Sequence, residues 1–414
     1  MAQNPASADL GQLRYVAETV PGTTPTTGTT RNLRTTQPTM KAGITTTKSQ
    51  EITKDRMVRS STVTDMSVDG GFDFELSGKE YDFLLEAVMR SNFVHYGTGG
   101  LGTPFSMTTT ANKVTASVAT TGTSAFTSLA KGSYFKIIPP AAAAKEVKDY
   151  FADAWFKVDS TVAPTTTEIT LDASTPIKAP GLISIATAGY AVSQSTLTHG
   201  TVRKTYSLEW EQSDISEYMV YRGMEANTLS LDFNIGAIVT GSANFMGMTH
   251  DVKQTTYVPG TPAASFDLGP LNSVSDIGNI SSGGKSLMVG SDFIRSLRIE
   301  INNNLRGLKA LGHLGNAGVG VGSLDVTGTF EAYFHNSVLY KKWLESENSD
   351  LVFGVSDPYG NGYLIELTKI KYRDGSLNNI TQNSDPTLSL SFDAFYDGSV
   401  GRGIRITRSV ASAA

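Results

Sequence analysis

One short pattern occurs twice in the chain, and any fold must accommodate both copies. Val68-Asp-Gly-Gly-Phe-Asp-Phe-Glu-Leu76 is matched by Val326-Thr-Gly-Thr-Phe-Glu-Ala-Tyr-Phe334. In each copy apolar and polar residues alternate, as they do in a half-buried β-strand. A helix-like segment follows each copy. The repeat therefore predicts that one strand-and-helix unit is folded twice.

The two helix-like segments extend from Ser77 to Ser91 and from Asn336 to Glu345. In the first, Ser77 and Glu80 have the spacing of a capping box, which predicts a helix start at this point. In the second, Leu339 and Trp343 are one helical turn apart and share a face. Both segments are thus expected to pack an apolar face against the strands.

A second match lies further along, where Thr228-Leu-Ser-Leu-Asp-Phe233 resembles Thr387-Leu-Ser-Leu-Ser-Phe392. The starts of the two patterns are 160 residues apart in the first copy (68 to 228) and 61 in the second (326 to 387), a difference of 99. This surplus predicts that the first copy contains an inserted segment.

The surplus corresponds to a stretch rich in Thr, Ala and Gly between Tyr96 and His199, which we interpret as an inserted small β domain. Its sequence predicts a short helix from Ala141 to Phe151. Whether it is a small barrel or an immunoglobulin-like sandwich stays open. The predicted strands are Lys113 to Ala119, Gly132 to Ile138, Trp155 to Asp159 and Glu168 to Leu171.

The remaining segments are polar and rich in turn residues. Residues 1–30 contain much Thr, Pro and Gly, which predicts an arm with little apolar burial. The predicted organisation is an N-terminal arm at 1–30, a first repeated domain at 31–95 and 200–250, the insertion at 96–199, a linker at 251–290 and a second repeated domain at 291–410.

Composition excludes several classes of protein. The formal net charge is −5, whereas proteins that grip nucleic acid carry clustered Lys and Arg. There is no Cys, so neither disulfides nor thiolate metal sites are expected. No apolar run approaches the ~18 residues of a membrane span, and the first residues lack the pattern of a secretory signal. We expect a protein made in a cytoplasm, with no membrane partner.

Acidic residues recur on one side of several predicted strands. In the first pattern Phe72 and Phe74 share a face, while Asp69, Asp73 and Glu75 share the opposite face. The same separation places Glu209 and Glu211 opposite Leu208 and Trp210, and Asp232 opposite Leu229 and Leu231. Such a face is either an ordinary solvated sheet surface or a functional acidic wall.

Several runs, taken in order, resemble one protein family. They are Tyr15-Val-Ala-Glu-Thr-Val-Pro-Gly22, Thr45-Thr-Thr-Lys-Ser-Gln-Glu51, Tyr206-Ser-Leu-Glu-Trp-Glu-Gln-Ser-Asp-Ile215, Tyr221-Arg-Gly-Met-Glu-Ala-Asn227, Gly236-Ala-Ile-Val-Thr-Gly-Ser242 and Ile299-Glu-Ile-Asn-Asn-Asn-Leu305. Together they resemble the tail tube proteins of long-tailed bacteriophages. The resemblance covers both repeats and is weak across residues 101–197.

The resemblance implies an all-β chain with two tandem tail-tube-type domains, each a β-sandwich or barrel with a flanking helix, plus the inserted small β domain. It also implies a non-enzymatic virion protein that polymerises into stacked rings around a channel for viral DNA ejection. Its expected partners are other copies of itself, the tape-measure protein, the tail-end proteins and the DNA that passes through the lumen. No cofactor is expected.

Two sets of residues are candidates for roles in such a tube. An acidic lumen would repel the phosphate backbone and keep DNA from sticking. Polar loops are candidates for contacts between rings. The lumen-facing candidates are Asp69, Asp73, Glu75, Glu209, Glu211, Asp232 and Glu331, and the inter-ring candidates are Glu51, Asp55, Arg56 and Arg59.

Signals for catalysis are weak. Gly97-Thr-Gly-Gly-Leu-Gly102 matches G-x-G-x-x-G in form, but it precedes Thr-rich strand sequence rather than opening a helix, which indicates a hinge. Glu209 and Glu211 have a spacing that glycosidases could use, with no further chemistry beside them. The five His residues are scattered without metal-ligand spacing. We therefore predict neither a catalytic nor a metal site.

Two other function classes remain as alternatives. A tail-tip adhesin or carbohydrate-binding tail protein would use the insertion as its recognition domain, and a lytic tail enzyme would act on cell-wall polymer. Polymerisation distinguishes them from a tube protein, because an adhesin stays a small oligomer.

Overall fold

Alternating apolar and polar residues dominate this sequence, and the chain is accordingly all-β. The computed structural model describes residues 6–411 except 53, 178–188, 259, 267, 283–284, 287–292 and 379. Three α-helices and large antiparallel sheets occur within these residues. The predicted fold class is confirmed at this level.

The elements before and within the insertion follow in chain order. The strands are β1 Gly11–Ala17, β2 Arg31–Asn32, β3 Gln37–Pro38, β4 Lys41–Lys48, β5 Ser61–Glu75, β6 Val94–His95, β7 Met107–Thr110, β8 Lys113–Ala116, β9 Tyr134–Ile138, β10 Phe156–Lys157, β11 Glu168–Thr170 and β12 Ala191–Ser193. The helices are α1 Asp82–Met89 and α2 Lys145–Asp153, with single 3-10 turns at Ala8–Leu10, Gly122–Ser124 and Phe126–Ser128.

The elements after the insertion complete both repeats. They are β13 Ser195–Thr198, β14 Tyr206–Gln212, β15 Glu217–Asn234, β16 Thr240–Met246, β17 Thr249–Lys253, β18 Ile277–Ser282, β19 Lys285–Ser286, β20 Ile294–Asn302, β21 Arg306–Leu308, β22 Gly318–Gly320, β23 Asp325–Tyr333, α3 Val338–Leu344, β24 Ser349–Ser356, β25 Gly362–Asn378, β26 Thr387–Ala394 and β27 Ile404–Ser409.

The two repeats have the same strand pairing. In the first, β5 pairs with β16, β16 with β15, and β15 with β14. In the second, β23 pairs with β26, β26 with β25, and β25 with β24. The long strands β15 and β25 also share two register shifts. One shift follows Ala226 in β15 and Tyr372 in β25, and the other follows Tyr206 in β14 and Ser349 in β24.

This pairing corrects one interpretation of the sequence. The matching runs that begin at Thr228 and Thr387 lie in β15 and β26, which occupy different positions in their repeats. The counterpart of β26 is β16, because Gly70 lies opposite Phe245 and Gly328 lies opposite Phe392. These pairs are 175 and 64 residues apart, so the surplus is 111 rather than 99. Both runs alternate as strands do, and that shared period produced the false match.

The repeats are joined by a ladder between β15 and β20, in which Thr228 pairs with Asn302 and Asn234 with Ser296. One apolar core lies behind this joint and contains buried residues of both repeats. For example, the Phe233 and Phe353 rings are in edge contact with centroids 5.2 Å apart. The repeats therefore share a sheet and a core.

The insertion has a separate core that includes Phe126, Phe135, Phe151 and Ile169. The predicted strands are found in shorter form as β8, β9, β10 and β11, and the predicted helix is α2. The chain enters and leaves the insertion at one place, because the Tyr96 amide donates to the Gln194 carbonyl over 2.9 Å.

A buried lysine connects the insertion to the second repeat. The Lys136 ammonium in β9 donates to Ser356 Oγ over 2.6 Å and to the Ala152 carbonyl. Tyr134 and Trp155 pack nearby on Val352 and Leu364 of the second repeat. Lys136 has no solvent exposure, and this burial lowers its pKa to about 7.

Four sequence-based boundaries need correction. Residues 1–30 were expected to bury little apolar surface, but β1 lies within this stretch and buries Leu13 and Val16. The predicted linker 251–290 contains the paired strand β18, and β13, predicted to lie inside the insertion, pairs with β27. The predicted capping box is absent, since α1 begins at Asp82, where no side chain caps the helix.

The Lys136→Met variant should be at least as stable as the original chain at pH 7. The substitution removes a buried charge, and Ser356 Oγ keeps its bond to the Ala152 carbonyl (2.8 Å). Between about pH 7 and 10.5 the unfolded lysine binds a proton that the folded one has released. As pH increases over this range, the free energy of unfolding of the original chain should therefore rise relative to that of the variant, by up to about 1.4 kcal/mol per pH unit.

Urea denaturation of both proteins at pH 7, 8 and 9 measures this difference. Lys131→Met, at an exposed lysine of the insertion, is the matched control and should follow the original chain at each pH. If the difference in unfolding free energy between Lys136→Met and the original chain is the same at all three pH values, the pKa of Lys136 is not lowered by its burial.

Candidate functional surface

One polar surface extends across eight strand positions of the large sheet. The neighbours in order are β3 with β4, then β5, β16, β15, β20, β23, β26 and β25. Strands β3 and β4 count as one position because they follow the same edge of β5 in one register. We call the solvent-facing side of these eight positions the polar face.

Residues directly opposite each other in paired strands have side chains on the same side of a sheet. The register therefore connects residues across both repeats into rows. One row contains Glu75, Thr240, Asp232, Arg298, Thr329, Ser391 and Asp374. The next contains Asp73, Ser242, Ser230, Glu300, Thr327, Asp393 and Lys371.

The opposite side of the same strands is buried and apolar. Phe72, Leu229, Ile299, Phe330 and Leu390 alternate with the polar rows, and each is at most 2% exposed. This strict period-2 pattern fixes the register, because a slip of one residue would exchange the core and the polar face. The sheet can therefore present a long polar surface without loss of its core.

Acidic residues outnumber basic residues on the polar face. The carboxylates are Asp69, Asp73, Glu75, Asp232, Glu300, Asp325, Glu331, Asp374 and Asp393, and the cations at or beside them are Lys41, Arg295, Arg298, Lys371 and Arg373. Four carboxylates are in ion pairs, namely Asp69 with Lys41 (3.2 Å), Asp232 with Arg298 (3.0 Å), Glu331 with Arg295 (3.3 Å) and Asp393 with Arg373 (3.2 Å).

Five of the seven carboxylates selected from sequence lie on this face: Asp69, Asp73, Glu75, Asp232 and Glu331. Sequence reasoning missed Glu300, Asp325, Asp374 and Asp393. Alternation within β20, β23, β25 and β26 places each of them opposite the apolar positions. The sequence alone does not show which strands pair, so it does not show that these four strands continue the face of the first repeat.

Glu209 and Glu211 do not belong to the polar face, which corrects their selection. Both lie in β14, and β1 pairs with β14 so that Arg14 is opposite Glu209. Glu209 is 0% exposed and accepts bonds from the Tyr257 amide (2.6 Å) and Thr256 Oγ1 (2.8 Å). Arg14 pairs with both carboxylates. Their charges stabilise a buried joint instead of a surface.

The four inter-ring candidates lie in the turn region of the hairpin formed by β4 and β5. All eight residues of β4 are exposed, so this hairpin extends away from the core. Asp55 and Arg59 form an ion pair of 2.9 Å, and Arg56 has a positive φ of 61°. Glu51 lies on the same exposed loop. Three exposed apolar side chains accompany them: Ile52, Met57 and Val58.

The chemical motifs in the described part of the chain have structural explanations. The glycine run at 97–102 forms a tight turn in which Gly97, Gly99 and Gly100 have positive φ. Among the described residues, no cluster of three or more His, Cys, Asp or Glu side chains could hold a metal ion. None of the described helices has the length and apolar character needed to cross a membrane.

Comparison with known proteins gives one clear match. A family model described as "Phage tail tube protein" matches residues 9–394 of the chain. No curated protein matches the sequence significantly.

The Glu209→Ala variant should lose about 2 to 4 kcal/mol of unfolding free energy, because it leaves the Tyr257 amide without its acceptor and removes one of the two carboxylates that pair with Arg14. Asp73→Asn is the matched control on the polar face and should change stability by less than about 0.5 kcal/mol. Urea denaturation of the monomer measures both. Equal stability of the two variants would show that Glu209 is not part of a buried joint.

Proposed function

The chain belongs to the phage tail tube protein family, and we propose that it polymerises into stacked rings whose pore conducts viral DNA. Membership makes it a structural component of the virion that assembles into a tube. The proposal adds which surface faces the pore, how many chains form a ring and where the rings meet.

The observation that carries the proposal is the polar face with its buried apolar reverse. A pore wall must be wetted on one side and packed on the other, and an alternating antiparallel sheet meets both needs. The face also continues from one repeat to the other through the β15–β20 ladder. We therefore propose that Asp69, Asp73, Glu75, Asp232 and Glu331 face the lumen.

The duplication supports three chains per ring. Two repeats that have the same strand pairing but different sequences can alternate around a ring. Three chains would then give threefold symmetry and a pseudo-sixfold pore. Three chains with eight strand positions each give about 24 strands. With strands ~4.8 Å apart and tilted by ~40°, the opposite walls of such a barrel are roughly 45 to 50 Å apart, wider than the 16-to-18-strand barrels that already leave an aqueous channel.

The charge of the polar face suits passage of DNA without binding. Asp73, Glu75 and Glu300 have no ion-pair partner among the described residues, so the face stays net acidic after its other pairs have formed. Binding to a duplex requires basic groups that displace counterions. Between the acids lie Ser, Thr and Asn side chains, such as Thr240, Ser242 and Asn244.

The hairpin of β4 and β5 is the proposed contact between successive rings. Its turn contains Glu51, Asp55, Arg56 and Arg59 together with the exposed apolar side chain of Ile52. Apolar side chains exposed on a monomer become favourable when a neighbour covers them. Asp65 of β5 also pairs with Lys309 over 2.6 Å, and this ion pair connects the hairpin to the second repeat.

The insertion is proposed to lie on the outside of the tube. Its last strand, β12, leads into β13 of the large sheet, and it packs on β24 and β25 through Trp155 and Lys136, apart from the polar face. The tape-measure protein inside the forming tube and the tail-end proteins at its termini are the proposed further partners. Synthesis in the cytoplasm of the bacterial host precedes assembly.

Purified protein should form hollow tubes or stacked rings as its concentration is raised, visible by negative-stain microscopy. Sedimentation equilibrium at low concentration provides the monomer reference. An adhesin or a lytic enzyme would instead stay a small oligomer at every concentration. That result, together with absence of the protein from purified tails, would contradict the proposal.

A further inference from the structure

The joint between the two repeats predicts the joint between two chains. The edge of β15 beyond its pairing with β14 is occupied by β20, from Thr228 to Asn234. The corresponding edge of β25 begins where β24 ends, after Ile370. Among the described residues no strand pairs with that edge, although β26 covers the other edge as far as Asn378. The second repeat thus has an open position where the first has β20.

The chain also contains an unpaired counterpart of β20. In the first repeat β3 and β4 pair with β5 as β20 pairs with β23, since Ala42 lies opposite Val68 and Ile301 lies opposite Val326. The outer edge of β20 contacts β15, whereas β3 and β4 have no strand partner on their outer edge in the described part of the chain. All of β4 is exposed.

We propose that β3 and β4 of one chain pair, antiparallel, with the open edge of β25 in a second copy, in the register of the β15–β20 ladder. This inference rests on the proposed tube function and names the joint that closes its rings. The shared register shifts fix the alignment, because Thr228 and Asp374 directly follow the same shift in β15 and β25.

The register translates residue by residue. Within one chain Leu229 pairs with Ile301, Ser230 with Glu300, and Leu231 with Ile299. The corresponding pairs between two chains are Gly375 with Ala42, Ser376 with Lys41, and Leu377 with Met40.

The side chains at the two edges suit this joint. Met40 and Leu377 are both half-buried against the margin of the core, so each would complete the burial of the other. Gly375 lies beneath the Trp343 ring, which would be 2.8 Å from an added Cβ, and its partner would be the small Ala42. Lys41 and Ser376 continue the polar rows from one chain to the next.

In the single chain, the open edge of β25 satisfies a backbone amide with a neighbouring side chain instead of a strand. The Gly375 amide donates to the carboxylate of the preceding Asp374 over 2.8 Å, whereas an amide inside a ladder would donate to a strand. Unpaired strand edges of this length promote uncontrolled pairing with other chains. Closure into a ring would cover the open edge of β25 and the outer edge of β3 and β4 at once.

Paired cysteines test the register directly, since the chain has no cysteine of its own. The Thr39 amide donates to the Gly71 carbonyl, so Lys41, two residues on, also directs its amide to β5. Lys41 and Ser376 would then form a non-hydrogen-bonded pair, in which side chains are closest and a disulfide fits. In one chain they lie at opposite ends of the sheet, roughly 34 Å apart for seven strand spacings, and cannot bond.

The experiment compares assembled Lys41→Cys/Ser376→Cys tubes with two controls after oxidation by diamide. Ser230→Cys/Glu300→Cys is the equivalent pair inside one chain and should give an internal crosslink without larger species. Lys41→Cys/Asn378→Cys is shifted by two residues and should crosslink at least tenfold less. The test variant should give a covalent ladder that ends at the trimer on a non-reducing gel.

Tubes that form without this ladder, or an equal ladder from the shifted pair, would overturn the proposed joint while the tube function stands. Failure of the unsubstituted chain to assemble would instead overturn the proposed function. Met40→Cys/Leu377→Cys samples the same register from the apolar side, so the joint is still measured if the first variant does not assemble.

Discussion

The ladder between β15 and β20 is the interaction on which the rest of the molecule depends. It pairs seven residues of the first repeat, Thr228 to Asn234, with seven of the second, Ser296 to Asn302. An ion pair between Asp232 and Arg298 crosses it on the polar side, and Leu231 and Ile299 meet on the buried side. Without this ladder each repeat would be a smaller sheet with an open edge, and the polar face would be divided.

A buried charge network forms a second contact between the two repeats. Arg408 in β27 pairs with Asp82 at the start of α1, and Tyr363 in β25 donates to Asp82 over 2.9 Å. Arg408 also donates to the Gly99 carbonyl (2.9 Å) at the turn where the insertion begins. Burial raises the pKa of Asp82 to about 6, and the nearby Arg408 opposes that rise. One side-chain cluster thus joins the first repeat, the second repeat and the root of the insertion.

Sequence reasoning predicted local structure well and pairing poorly. Alternation identified β5 and β23, and the separation of apolar from acidic residues placed Asp73 and Glu75 on the surface. The same alternation matched β15 to β26, because period 2 does not distinguish one strand from another. Glu209 failed as a surface candidate for a related reason. Its partner Arg14 comes from a strand 195 residues earlier, and only the fold brings the two together.

The proposed joint between chains would connect the pore wall, the ring and the exposed hairpin of β4 and β5. If β25 accepts a neighbour as β15 accepts β20, the polar faces of adjacent chains form one wall, and the number of chains follows from the two repeats in each. The exposed hairpin of β4 and β5 is then anchored at a joint between chains, well placed to reach the next ring.

Cryo-electron microscopy of assembled tubes, at a resolution that shows side chains, tests the central claim that the polar face lines the pore. The account predicts three chains per ring, Asp73, Glu75 and Glu300 at the lumen, and the insertion outside. A reconstruction in which these carboxylates face outward or lie buried between chains would contradict it, whatever the number of chains in the ring.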